Sequence, residues 1–415
     1  MTSRSRIGYA VVVILATTSV SMAGGNSGFF KLLGAEGLFP ADASADGRVV
    51  AGYNSNEFWY WTPEQGVVLI GGLSPSAGGA GSAGISNDGA RIGLTTLNPK
   101  TGKTEGAFHE VATGETTLVG NFGFSCDASA MSCWGISGDG TTMVGLGWHQ
   151  FCAARAFRFS TFDGLVDLGS TVSGASSRAN ACNDDGSVVV GWQDSNVGAR
   201  QGAIWRDGAQ TLITTSSGAA VGEAGAVSGD GQWVIGLGAG TNGSLGWRWS
   251  ESEGLSTLPA SPIPTLPRAF PTGISQDGRR IVLFYRTQFP PATAGEGYLW
   301  IDGTIHSLEI LAEEQGIEIP AGVRMALPLG MSGDGYTIVG TARTPNGIQG
   351  FILDLPRPES CQGDLDDDGA VGPIDLSIML GAWGTDSIPA DLDGDGIVGP
   401  THLATLLGAW GPCDR

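Results

Sequence analysis

GISGDGTTMVG, Gly135 to Gly145, is one of seven copies of a single phrase, and that phrase decides the fold. The others are DASADGRVVAG from Asp42, GISNDGARIGL from Gly84, ACNDDGSVVVG from Ala181, AVSGDGQWVIG from Ala226, GISQDGRRIVL from Gly273 and GMSGDGYTIVG from Gly330. Their Asp-Gly pairs begin at Asp46, Asp88, Asp139, Asp185, Asp230, Asp277 and Asp334, at spacings of 42, 51, 46, 45, 47 and 57 residues. An Asp-Gly pair between short β-branched runs marks a hairpin, because Gly accepts the positive φ of the turn. The Ser two residues before the Asp offers its hydroxyl to the turn backbone. A recurring period of this length is the sign of a repeat architecture.

Each repeat has a second half. It reads EFWYWTPEQGVVLIG from Glu57, GAFHEVATGETTLVG from Gly106, RAFRFSTFDGLVDLG from Arg155, GAIWRDGAQTLI from Gly202, GWRWSESEGLSTL from Gly246 and GYLWIDGTIHSL from Gly297. An aromatic strand, a Gly-containing turn and a short strand make a second hairpin. Four short strands in about 45 to 50 residues describe one blade of a β-propeller. The expected fold is therefore mainly β, a seven-bladed β-propeller over residues 24–356. Repeat seven has a third strand, GFILDL from Gly350, but no fourth before Pro356, whereas FFKLLG, Phe29 to Gly34, is a strand with no repeat before it. Placing the orphan in the vacancy closes the ring and removes an open edge.

The chain has 415 residues, 69 of them Gly, with 15% charged and 41% hydrophobic residues. The glycines fall at turn positions of the repeat, which separates them from low-complexity sequence. Residues 1–23 read as a secretory signal: Arg4 and Arg6, an apolar run from Ile7 to Ala16, then Ser21-Met22-Ala23. That run is too short for a membrane span, and no other stretch is long enough. The formal charge of −20 excludes nucleic acid and anionic lipid as expected partners.

Six cysteines suit an oxidising compartment. Cys361 and Cys413 bracket the last segment and are expected to pair. Among Cys126, Cys133, Cys152 and Cys182 three connectivities are open, and we favour Cys126 with Cys152 and Cys133 with Cys182. SLEILAEEQGIEIPAGVRMALP, Ser307 to Pro328, interrupts the repeats and is expected to form a short helix ending near Gly316, lying as a flap over the ring. Residues 357–360 read as a linker.

The repeats resemble the HAF family of extracellular bacterial repeats, which pair a [GA]-[IVM]-S-x-D-G-x-x-V-V-G hairpin with an A-F-x-W…D-L-G hairpin. The likeness covers roughly residues 29–356, with Gly106-Ala107-Phe108 and Arg155-Ala156-Phe157 standing where that family has His-Ala-Phe. It implies a secreted repeat protein and no particular activity.

Residues 361–415 are a different object. GDLDDDGAVGPIDLSIMLGAWG, Gly363 to Gly384, recurs as ADLDGDGIVGPTHLATLLGAWG, Ala390 to Gly411. Each copy opens with a D-x-D-x-D-G calcium loop, whose hard oxygens alternate along the chain. The ligands read as Asp364, Asp366, Asp368, the Ala370 carbonyl and Asp375 in the first loop. In the second they are Asp391, Asp393, Asp395 and the Ile397 carbonyl, with His402 at position twelve. A nitrogen there suits softer metals better than Ca²⁺, so the first loop is expected to be the tighter. Pro373 and Pro400 open the following helices. Leu376, Leu380 and Trp383, with Leu403, Leu407 and Trp410, are the expected apolar faces that pack about a pseudo-twofold. This segment resembles a type I dockerin, a small all-α calcium-binding module. Dockerins dock secreted proteins onto cohesins through a Ser-Thr pair at loop positions ten and eleven. Pro373-Ile374 and Pro400-Thr401 stand there instead, which tells against cohesin recognition and shifts the expectation to an anchoring or sorting module, its partner a cell-surface or cohesin-like protein.

No catalytic constellation is visible. A nucleophile is needed once, whereas G-x-S-x-D recurs at Ser86, Ser137, Ser275 and Ser332, with Ser44 and Ser228 as variants, so these serines read as turn residues. His109, His149, His306 and His402 are not spaced as metal ligands. Gly238-x-Gly240-x-x-Gly243 lacks a following helix and reads as chance in so Gly-rich a chain. Trp59, Trp61, Trp205, Trp247, Trp249 and Trp300 occupy repeat positions explained by blade packing, leaving Trp148 and Trp192 as surface candidates for stacking on a glycan. The expectation is an exported, non-catalytic binding or structural module attached through a calcium-binding tail. The alternative is a secreted glycan-active enzyme, a polysaccharide lyase or hydrolase, anchored by the same tail.

Overall fold

A computed structural model describes residues 28–73, 81–127, 129–239, 243–287, 294–357, 362–365, 370–385, 387 and 389–412. The signal segment, Cys361, Cys413, Asp366 and Asp368 lie outside the described residues. Seven four-stranded antiparallel sheets follow the seven repeats. Taking blade 4 as the pattern, Ser177–Cys182, Val188–Asp194, Arg200–Arg206 and Ala209–Leu212 run from the axis outward. Blade 7 holds Arg324–Met331, Thr337–Thr344 and Gly347–Asp354, and its outermost strand is Phe29–Glu36, paired antiparallel to Gly347–Asp354. The orphan strand fills the vacancy, as expected.

The repeated phrase works locally. In all seven copies the Gly after Asp has positive φ, between 69° and 79°. Ser137 shows the rest: its Oγ donates to Asp139 Oδ1 (2.5 Å) and accepts the Thr142 N–H (2.9 Å). Ser44, Ser86, Ser228, Ser275 and Ser332 make the same two bonds. In the one copy without Ser, Asn183 Oδ1 accepts the Val188 N–H at 2.8 Å. These hydroxyls are turn fasteners.

The turns also join the blades. Ala45 N–H bonds the Asn87 carbonyl (2.9 Å), Asn87 that of Gly138 (2.7 Å), Asp139 that of Asp184 (2.8 Å) and Asp184 that of Gly229 (3.1 Å). Asp230 continues to Gln276 (3.5 Å), Gln276 to Gly333 (2.8 Å), and Asp334 returns to Ala45 (3.2 Å). One backbone bond thus passes from each blade to the next around the axis. Inside that ring Gln276 Nε2 donates to Asp184 Oδ2 (3.0 Å), and Asn87 also bonds Asp184. A Cβ at Gly138 would lie 2.3 Å from both Asn87 Nδ2 and Asp184 Oδ1, so the small residues of alternate blades make room for the larger ones. Asn87, Asp184 and Gln276 thereby fill the turn end of the channel.

Seven apolar clusters occupy the seven blade junctions. The closing strand serves two of them by simple alternation. Phe30 and Leu32 pack into the junction of blades 6 and 7, while Phe29 and Leu33 pack into that of blades 7 and 1. Arg357, expected in a linker, belongs to the ring. Its guanidinium bonds Asp334 (2.7 Å), Asp354 (3.0 Å) and Thr337 (3.2 Å) in blade 7 and the Asp46 carbonyl (3.1 Å) in blade 1. Helix α1, Leu308–Glu314, forms where expected but is no flap. Leu308 and Ala312 are fully buried among Val282, Leu299 and Met325, so the helix wedges into the core, and the insertion's end becomes innermost strand.

Six innermost strands carry a bulge just before the phrase, at Ala41, Trp134, Asn180, Gly225, Thr272 and Leu329. A bulge re-aims a side chain. Most of these residues are small or aliphatic, which makes Trp134 and Asn180 the unusual pair.

Candidate functional site

Two places gather chemistry. The first is the C-terminal segment, where helices α2 (Pro373–Gly381) and α3 (Pro400–Gly408) start at the expected prolines. A two-residue strand pair, Ala370–Val371 with Gly411–Pro412, joins the segment's ends, an addition to the all-α expectation. Val371 and Val398, with Met379 and Leu406, are buried as two pairs at the 27-residue offset. This corrects the expected packing faces. Leu376 and Leu403 do pack against the core, but Leu380 (52% exposed), Trp383 (43%), Leu407 (51%) and Trp410 (47%) face outward. Position 379 or 406 turns inward instead, because each short helix has room for only one central core residue.

In the second loop Asp391, Asp393, Asp395 and His402 present donor atoms all within 4.8 Å of one another. His402 is fully buried, and its Nε2 lies 2.8 Å from Asp393 Oδ1 and 3.4 Å from Asp391 Oδ1. The Asp393 hydrogen bond, with the neighbouring carboxylate charges, holds His402 above the ordinary imidazole range. Nδ1 accepts the Gly399 N–H at 2.8 Å, which assigns the ring proton of the neutral form to Nε2, facing the carboxylates. The three carboxylates fit a hard divalent cation, and His402 presents them an N–H. Asp391 also accepts the Gly394 and Gly396 N–H groups, and Asp395 that of Ile397, so the loop is shaped by its own acids. In the first loop Asp375 Oδ1 and Oδ2 accept the Leu365 and Gly372 N–H groups, each at 2.6 Å. One carboxylate ties the loop's start to the helix N-terminus.

The second place is the end of the channel opposite the Asp-Gly turns. Arg178, on the innermost strand of blade 4, stacks 3.6 Å from the ring centroid of Trp134 on blade 3. Its Nε donates to Asn180 Oδ1 (2.8 Å), and Asn180 Nδ2 donates to the Ala224 carbonyl of blade 5 (2.7 Å). Trp192 lies directly across the strand pair from Arg178, with Arg178 and Arg200 over its ring at 5.4 and 4.3 Å. Trp192 was expected at the surface; the two arginines cover it, and it is 5% exposed. Trp148 is half-buried, its Nε1 bonded to Ser129 Oγ. Sequence reasoning passed over Trp134 and Arg178, although a Trp where other blades carry small residues was a usable signal.

Elsewhere the groups are structural. Cys126 and Cys152 form the expected disulfide. Cys133 and Cys182 are free thiols, contrary to expectation: Cys133 packs in the junction of blades 2 and 3, Cys182 against that of blades 3 and 4. Burial pushes both thiols up, Cys133 to about 12. His109 bonds Thr116 Oγ1 (2.9 Å), and His149 Nε2 lies 3.2 Å from Asp167 between two phenylalanine rings. No helix among the described residues is long and apolar enough to cross a membrane.

No protein-family model and no curated protein matches the chain. Among solved structures it is similar to the oligogalacturonate lyase of Vibrio parahaemolyticus, at 12% identity over 80% of this chain and 98% of that one, with a TM-score of 0.52. It is similar to an oligogalacturonate lyase in complex with manganese at 15% identity, over 76% and 88% of the two chains, TM-score 0.50. TolB from Acinetobacter baumannii is matched at 13% identity over 76% of this chain and 63% of that one, TM-score 0.42. At these identities the likeness is one of fold, a seven-bladed β-propeller.

Proposed function

We propose that the chain is an exported, non-catalytic binding or structural propeller, attached through a dockerin-like C-terminal segment that binds calcium. The observation that carries this reading is the outward pair Leu380/Trp383 and its duplicate Leu407/Trp410. Large apolar residues repeated at one offset on a small segment are what a docking face needs. Calcium supplies charge neutralisation to loops dense in carboxylates, with Asp364, Asp366, Asp368, Asp375 and the Ala370 carbonyl holding it in the first. Export agrees with the disulfide and the HAF-like repeats. The expected partner is a cohesin-like or other cell-surface protein. Full-length chain should bind envelope fractions of the source organism in calcium, and Trp383→Ala with Trp410→Ala should lower that binding at least tenfold. Binding unchanged in the double variant would overturn the reading.

A glycan-active enzyme is the second reading, favoured by the arginine–indole cluster at the end of the channel opposite the turns and by the fold shared with the oligogalacturonate lyases. Incubation with oligogalacturonate, followed by ultraviolet absorbance of unsaturated product, tests it directly.

A further inference from the structure

The cluster at the end of the channel opposite the Asp-Gly turns holds a cation with few partners among the described residues. Arg178 is enclosed, with 13% of its side chain exposed. Among the described residues its one hydrogen bond is from Nε to Asn180. Glu223 is its nearest acid, at 3.7 Å from a terminal nitrogen, beyond hydrogen-bond reach. The other Glu223 oxygen is held by Arg200 at 2.5 Å. Two guanidinium groups thus share one carboxylate, and the enclosed one keeps its outer N–H groups unbonded. Trp192 Nε1, buried beside them, has no hydrogen-bond partner among the described residues. Burial lowers the Arg178 pKa to about 10, in keeping with a cation short of compensation. A planar guanidinium fork whose terminal N–H groups make no bond among the described residues is matched best by a carboxylate taken in two parallel bonds.

The location fits a site. Asn87, Asp184 and Gln276 meet at the turn end of the channel, and the arginine pair lies at the opposite end. Trp134 holds the guanidinium plane and Asn180 fixes its edge, so the fork is set before any ligand arrives. Arg200 is half exposed and stands at the rim. The positive pair is local, in a chain of formal charge −20, which repels indiscriminate anion binding.

We infer that Arg178 and Arg200 form a binding site for a ligand carboxylate, for which sugar acids are the probe, with Glu223 as the built-in competitor that a ligand displaces. The inference rests on the propeller being a binding module. A carboxylate can reach the site on a uronic acid oligomer or on a free sugar acid, so both are probed.

The full-length chain is titrated with trigalacturonate, galacturonate and the methyl ester of the trimer, read by calorimetry and by tryptophan fluorescence. The acid forms bind and the ester binds at least tenfold more weakly. A trimer that outbinds the monomer assigns an oligosaccharide; equal binding assigns the free acid. Arg178→Gln loses at least tenfold. Arg200→Gln, at a half-exposed position, weakens binding without moving the melting temperature. Glu223→Gln strengthens binding severalfold, a gain that a purely structural Glu223 would not give. No binding by either acid, equal binding of the ester, or a Glu223→Gln variant that binds no more tightly overturns the inference. Envelope binding that persists in Arg178→Gln leaves the docking reading intact in each of those cases.

Discussion

At the scale of single residues the repeat explains itself through one hydroxyl, one carboxylate and one glycine, and departures from it carry information. Asp42 stands where the other copies have Gly84, Gly135, Ala181, Ala226, Gly273 and Gly330. Its carboxylate accepts the Ala43 and Ile85 N–H groups, the latter in blade 2, yet burial outweighs these bonds and pushes its pKa from 3.8 to about 7. Between those values the folded chain holds a proton the unfolded chain has lost. The stability this provides is therefore present at low pH and lost as pH rises through about 7. Asp42→Gly should raise the melting temperature at pH 8 by about 2–4 °C and give a smaller gain at pH 5, where only part of that stability has been lost. A difference independent of pH would refute the assignment. His402 is the other departure. Calorimetry of the full chain should find one tight calcium site, and His402→Asp should add a second by exchanging an N–H donor for a carboxylate. Two equal sites in the parent would sink that asymmetry. The serine and glycine roles were legible because turn chemistry is local. Trp192 was not, because its cover is a pair of arginines, one on another strand and one past the next turn.

Elements were legible wherever alternation or a vacancy spoke for them. The strand Phe29–Glu36 was placed by counting, and the structure adds why it holds: its alternate side chains enter two different junctions. Removing residues up to 36 should therefore weaken both sides of blade 7. With Phe29, Phe30, Leu32 and Leu33 lost, the melting temperature should fall by about 10 °C or more. An unchanged melting curve would contradict the closure. Arg357→Ala removes the latch between blades 7 and 1 and should give a smaller fall, about 2–4 °C, since the side chain is partly exposed. Helices α2 and α3 were placed correctly but turned wrongly. A short amphipathic stretch with apolar residues on more than one side does not say which side is the core; Met379 and Leu406 decide that through contacts with Val371 and Val398. The helix α1 was likewise found, but its burial depends on the gap between blades 6 and 7, which no local pattern encodes.

Over the whole molecule two kinds of closure meet. The propeller is closed by a complete circuit of seven backbone bonds, by the strand Phe29–Glu36 and by seven junction clusters, none of which needs an ion. The cluster of Val371, Met379, Ala390, Val398 and Leu406 draws on the C-terminal segment alone, and its loops hold carboxylates that repel one another without a cation. So few apolar residues give a small core of marginal stability. The two parts should then unfold separately. Scanning calorimetry of the full chain should show a large transition unaffected by calcium and a small one at lower temperature. Calcium at 100 times its dissociation constant should stabilise the small one by about 2.7 kcal/mol, and a chelator should abolish it. His402→Asp should widen that calcium response, while Asp42→Gly should move only the large transition. A single transition that shifts as a whole with calcium would mean that the segment and the ring fold as one unit.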